Sequence, residues 1–225
     1  YDQQVLAAAG RIPYQIAKSR APNPESRIPN PGTPMNTNRM EAFSDGVLAI
    51  IITIMVLELG VPHGVDLDAL RPLLPKVLSY VLSFVYIGIY WNNHHHLLQI
   101  TERVRGGVLW ANLHLLFWLS LLPFATGWMG ENHFAPIPTA AYGLVLLMAA
   151  VAYGTLVQTI IRAEGRDSRV ARAVGRDLKG WGSVVLYAIG IALSCWLPWA
   201  AQALYALVAA VWLVPDRRVE RTLDE

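Results

Sequence analysis

Cysteine is almost missing from this 225-residue chain: Cys195 stands alone, which excludes an intramolecular disulfide and a cysteine metal cluster. Charge is scarce too. Asp, Glu, Lys and Arg make up only 15% of the residues and the net charge is +2, too little to argue for a nucleic-acid partner. No internal inverted repeat is visible, which counts against a common plan of secondary transporters. Near the start, the apolar stretch 5–9 is too short for the continuous apolar region of a signal peptide. What fills the chain instead is hydrophobic. Such residues make up 54% of it, the profile of a polytopic membrane protein rather than one soluble domain.

Residues 1–34 differ from the rest. They hold six prolines and scattered Arg and Lys, and no run that could cross a bilayer, so they read as a disordered basic tail or an appended extension. Met35 is a candidate start, and 35–225 is expected to be one membrane domain. Within it, apolar runs at 39–59, 76–100, 108–129, 138–161, 181–197 and 199–214 predict six spans. Residues 60–75 read as a polar loop marked by Pro and Gly. Pro198 divides the last two spans into a tight hairpin, and Pro123 is expected to kink the third. Six spans place sixteen of the eighteen Lys and Arg on one side, leaving only Arg71 and Lys76 on the other. The positive-inside rule then puts both termini in the cytoplasm.

The stretch 39–59, RMEAFSDGVLAIIITIMVLEL, has a charged entry and then twelve uncharged residues before Glu58. On a helical wheel of about 100° per residue, Arg39, Phe43, Gly46, Ile50, Thr53 and Leu57 form one seam, with Ile54 beside it. Ser44 and Asp45 point well away from it. That layout suits a helix that meets copies of itself around an axis, although lipid contact or core packing is the ordinary reading of an apolar face. Arg39 and Asp45 are six residues apart, too far to pair within one helix face. Ion-pair or hydrogen-bond partners on neighbouring helices are expected for both, so that they clamp the first helix; the alternative is interfacial charge reaching water.

The second span carries Tyr90-Trp91-Asn92-Asn93-His94-His95-His96. Three consecutive helical histidines spread over about 200° and do not converge on one ion, so no metal is expected. Packing against the Ser44/Asp45 region is expected instead, with a neutral histidine donating to Asp45.

The motif R-x-x-x-F-S-D at Arg39, Phe43, Ser44 and Asp45, followed by I-I-I-T-I-M-V-L, resembles the first-helix signature of the transmembrane-protein-175 family of potassium channels. The W-x-x-H-H pattern at Trp91, His94 and His95 is similar to the family's second helix. The likeness spans roughly 39–214. It implies an all-α, six-span potassium channel whose first helix lines the pore, narrowed by aliphatic side chains at Ile50, Ile54 and Leu57 with Thr53 between them. A single copy of the signature implies the prokaryotic form: four identical subunits around one pore in a prokaryotic cell membrane, with potassium as permeant ion and no cofactor. No T-V-G-Y-G stretch is present, so rings of backbone carbonyls of that kind cannot set selectivity. An apolar constriction with nearby hydroxyls is left, and it would favour potassium over sodium modestly; Glu58 would raise cation concentration at the outer end. Two other readings stay open from the residues: a membrane metalloenzyme using His94, His95, His96 and His114, and a non-conducting or transporter protein.

Overall fold

The computed structural model describes residues 37–175 and 177–213, and these are all-helical. The expected tail over 1–34, the candidate start Met35, and Arg176, Arg217, Arg218 and Arg221 lie outside the described residues. Helix α1 runs Thr37–Leu57, α2 Leu74–Gln99, α3 Gly106–Ser120, α4 Leu122–Glu131, α5 Pro136–Glu164, α6 Arg169–Val174, α7 Leu178–Ser194 and α8 Pro198–Leu213. Among the described residues four stretches are long and apolar enough to cross a membrane: Thr37–Leu57, Leu67–Gln99, Gly106–Glu131 and Pro136–Glu164. α7 and α8 are apolar but shorter. The chain is therefore a multi-pass membrane protein.

Proline chemistry sets several boundaries. Pro123 has no N–H to offer the Leu119 carbonyl one turn back, so the ladder is interrupted; the Leu121 N–H closes on the Trp118 carbonyl at 3.2 Å and the third span breaks into α3 and α4. The 60–75 segment is not all loop: Leu67–Leu73 forms a 3₁₀ helix that leads into α2, with Pro72 inside it and Pro75 in the first turn of α2. The stretch between the fourth and fifth spans also holds more structure than a loop. Ser168 accepts the Ala171 N–H at 3.2 Å and starts α6, whose Val170 and Ala173 are buried. Just before it, α5 ends at Gly165, whose φ of +107° strongly favours glycine.

α5 packs extensively against α3 and α7, and α7 pairs with α8. Between them lies a buried polar hub that hydropathy alone does not reveal. Ser83 on α2 bonds both Thr126 of α4 (2.7 Å) and Tyr142 of α5 (3.0 Å), and Tyr86 donates to the Tyr205 carbonyl of α8 (2.6 Å). Hydrocarbon offers such groups no partner, so mutual satisfaction ties four helices together. α1 stands at the edge of this body, against α2, α3 and α4.

Candidate pore helix and its polar anchor

The buried face of α1 is Met40, Ser44, Leu48, Ile51 and Met55, a row spaced four, four, three and four residues apart. Ser44 is completely buried and anchors that row. Its hydroxyl donates to the Met40 carbonyl one turn back at 2.9 Å, which leaves its oxygen to accept the Asn112 Nδ2–H of α3 at 2.9 Å. Asn112 Oδ1 then lies 2.7 Å from His94 Nε2 on α2. Since Asn112 uses its amide nitrogen on Ser44, its oxygen accepts, and the His94 proton sits on Nε2. The chain thus has one direction, from His94 through Asn112 and Ser44 to Met40, and every member is nearly free of solvent.

Two further contacts hold α1 from α2. The Trp91 indole N–H donates to Asp45 Oδ1 at 3.0 Å. His95 Nδ1 lies 2.6 Å from Glu41 Oε1, and Gln99 Nε2 meets the other ring nitrogen at 2.8 Å. The two bonds hold the imidazole between Glu41 of α1 and the last turn of α2. The Trp91 ring stacks on His95 with centroids 5.9 Å apart and planes 14° from parallel.

These contacts correct two expectations. The donor to Asp45 is Trp91, not a histidine; His94 reaches the motif only through Asn112, and His95 takes Glu41. Arg39 has no clamp: it is exposed, and among the described residues it forms no salt bridge. The expectation of an interhelical partner holds for Asp45 alone. Glu41, Gln99 and Asn112 are the partners that sequence reasoning missed. Asn112 had a visible signal, as a lone carboxamide inside an apolar span. The histidine rings do not converge either, and among the described residues no group of three His, Cys, Asp or Glu side chains is placed to hold a metal. His114 is engaged elsewhere, accepting from Trp118 at 3.0 Å.

Among the described residues the opposite face of α1 has no partner. Phe43 is 54% exposed, Ile50 59%, Ile54 41% and Leu57 79%, and Arg39, Gly46 and Thr53 are exposed with them. Thr53 donates its hydroxyl to the Ile50 carbonyl at 2.8 Å, which leaves the oxygen lone pairs facing outward. Beside Ile54 a cleft of about 420 Å³ opens toward Glu58, Phe124, Trp128 and Glu131. The exposed face therefore runs from an apolar middle to an acidic end.

Comparison with known proteins gives this arrangement a context. The family model described as "Endosomal/lysosomal potassium channel TMEM175" matches residues 39–123, which cover α1, α2, α3 and the break before α4. A potassium channel of Chryseobacterium sp. (strain P1-3) is 55% identical over 191 residues, 85% of this chain and the whole of that one. A potassium channel of Streptomyces collinus is 35% identical over 128 residues, 53% of this chain and 62% of that one. Among solved structures, that of a lysosomal potassium-selective channel TMEM175 homolog from Chamaesiphon minutus superposes with a TM-score of 0.70 at 27% identity. It covers 79% of this chain and 96% of that one. With a relative of this identity matched over its full length, the chain belongs to the TMEM175 family, whose members are membrane channels and not enzymes.

Proposed function

We propose that this protein is a potassium-permeable cation channel, a ring of four identical subunits in a prokaryotic plasma membrane, with α1 lining the pore. Residues 35–225 form the channel domain, six spans place both termini in the cytoplasm, and potassium is the permeant ion with no further cofactor. The observation that carries this reading is the division of α1 into two faces. One is locked to α2 and α3 by hydrogen bonds, and the other leaves Ile50, Thr53, Ile54 and Leu57 exposed among the described residues. Support also comes from the relatives, which are named potassium channels.

The chemistry of that face suits a gate more than a binding site. Ile50, Ile54 and Leu57 spread over about 10 Å of axis at 1.5 Å per residue. Four-fold rings of such side chains dewet a narrow pore and close it; a small widening admits a partly dehydrated cation. Thr53 lies about 4.5 Å beyond Ile50, where its oxygen replaces part of an ion's water shell. Potassium sheds water more readily than sodium, so the preference is modest and favours potassium.

Potassium-driven flux into liposomes, with sodium as comparison, tests the reading. Replacing Ile50 with Asn wets the ring and raises basal flux of several monovalent cations. Thr53→Val keeps the shape, removes the hydroxyl and reduces the preference for potassium. If neither change alters flux, α1 does not line the conduction path.

A further inference from the structure

The His94–Asn112 bond marks a common level on α2 and α3, which run antiparallel about the connection at residues 100–105. Two residues farther from that connection on each helix, about 3 Å along the axis, lie Asn92 and His114. Two residues also turn each helix by about 200°, so both side chains leave the packed side. Asn92 is exposed on α2 with Phe84, Gly88 and Trp91, and His114 is exposed on α3 with Trp110 and Phe117.

Each carries an unmet hydrogen-bonding group. Trp118 Nε1–H lies 3.0 Å from His114 Nε2. An indole nitrogen only donates, so Nε2 accepts, the ring is neutral and its proton sits on Nδ1. Among the described residues neither that Nδ1–H nor the Asn92 carboxamide has a partner. His114 is eight residues, about 12 Å, from the start of the apolar Gly106–Glu131 stretch; with that stretch crossing a bilayer, lipid there would accept no hydrogen bond. One donor and one acceptor thus sit at equal depth on two different faces of one subunit. Gly88, one turn from Asn92 with no atom within 4 Å of where its Cβ would be, leaves a notch for a second helix to approach closely.

We propose that these faces meet between copies: His114 Nδ1–H of one subunit donates to Asn92 of the partner subunit, and the exposed faces of α2 and α3 form the head-to-tail interface of the ring. This rests on the oligomeric reading above. Two different faces joined by rotation close a ring, whereas a two-fold contact would pair each face with itself.

Cross-linking in a Cys195→Ser background tests it. A short bis-thiol reagent is needed, because a His–Asn bond leaves the two Cβ atoms farther apart than the ~4 Å of a disulfide. Asn92→Cys combined with His114→Cys should give a ladder of dimer, trimer and tetramer, while either single variant gives none. Dimers from a single variant would mean a two-fold contact and overturn the proposal. A silent pair with efficient links from Leu57→Cys would overturn this interface and leave the α1-lined oligomer standing; silence from both would sink the two together. Asn92→Leu and His114→Phe test the bond itself. Each should weaken assembly by roughly threefold per contact, and the double variant should be no weaker than the worse single one. Fully additive losses would refute the hydrogen bond.

Discussion

Asn112 offers the sharpest test of the anchor. Asn112→Leu keeps the volume near that of the original side chain but deletes two buried hydrogen bonds, 2.7 Å to His94 and 2.9 Å to Ser44. Ser44 loses little, since its own proton stays on the Met40 carbonyl. His94 loses more. Its Nδ1 already lacks a partner, so the variant leaves both ring nitrogens unsatisfied in a side chain only 2% exposed. A buried polar group stripped of its partner costs about 1–3 kcal/mol, and the gain from burying Leu offsets part of it. The net expectation is about 2 kcal/mol, or roughly 4–8 °C in the melting temperature of a body this size. The measurement is thermal unfolding of purified protein in detergent, with Asn112→Leu, His94→Phe and the double variant side by side. The double variant replaces both partners with apolar groups, so it should melt above the sum of the two single losses. Unchanged melting of Asn112→Leu, or strict additivity, would refute the claim that these side chains form one directed chain.

Other positions carry smaller or differently signed effects. Asp45→Ala and Trp91→Phe each remove the same 3.0 Å bond, so each should lower thermal stability by about 1 kcal/mol and the double variant by little more; the same melting assay decides. Gly130→Ala should destabilise by about 1–3 kcal/mol, because its Cβ would come within 2.8 Å of the Lys76 backbone, which cannot swing aside. Lys76→Ala, next to it, breaks a 2.9 Å ion pair whose Glu131 side is 56% exposed, and should cost no more than about 1 kcal/mol. Equal losses at these two neighbours would mean that helix separation is not what Gly130 controls.

Periodicity alone locates the exposed row of α1, since a 3.6-residue repeat sorts one helix into faces without reference to its neighbours. Pro123 likewise foretells the break at Leu121, because the missing N–H is a local fact. The partners of the motif are a different kind of information. Asp45 bonds Trp91, and Ser44 reaches His94 only by way of Asn112, because of how α1 leans across α2 and α3. Three adjacent histidines draw attention in a sequence, yet the single carboxamide at Asn112 connects the layer. The 3₁₀ turn at Leu67–Leu73 and the short α6 escape for a related reason. Both are too short for periodicity to register, and a Pro-rich entry and one Ser168 cap decide them.

Why a channel helix should be fastened this way follows from the solvent around it. Between helices in a bilayer there is no hydrophobic force to speak of, since lipid tails are as apolar as leucine. An α1 with only aliphatic contacts would have little to fix its rotation, and a slip of one residue turns it by about 100°. Such a slip would replace Ile50 with Ala49 or Ile51 on the exposed face. Ser44 and Asp45 are consecutive and so point about 100° apart, and they are fastened to different helices: Ser44 to α3 and Asp45 to α2. Glu41, one turn earlier, adds a second hold on α2 through His95. Two attachments in different directions fix a rotation that either alone would leave free. The exposed face can then be wholly uncharged through its middle, because its orientation is set from behind by groups on the buried side of the helix.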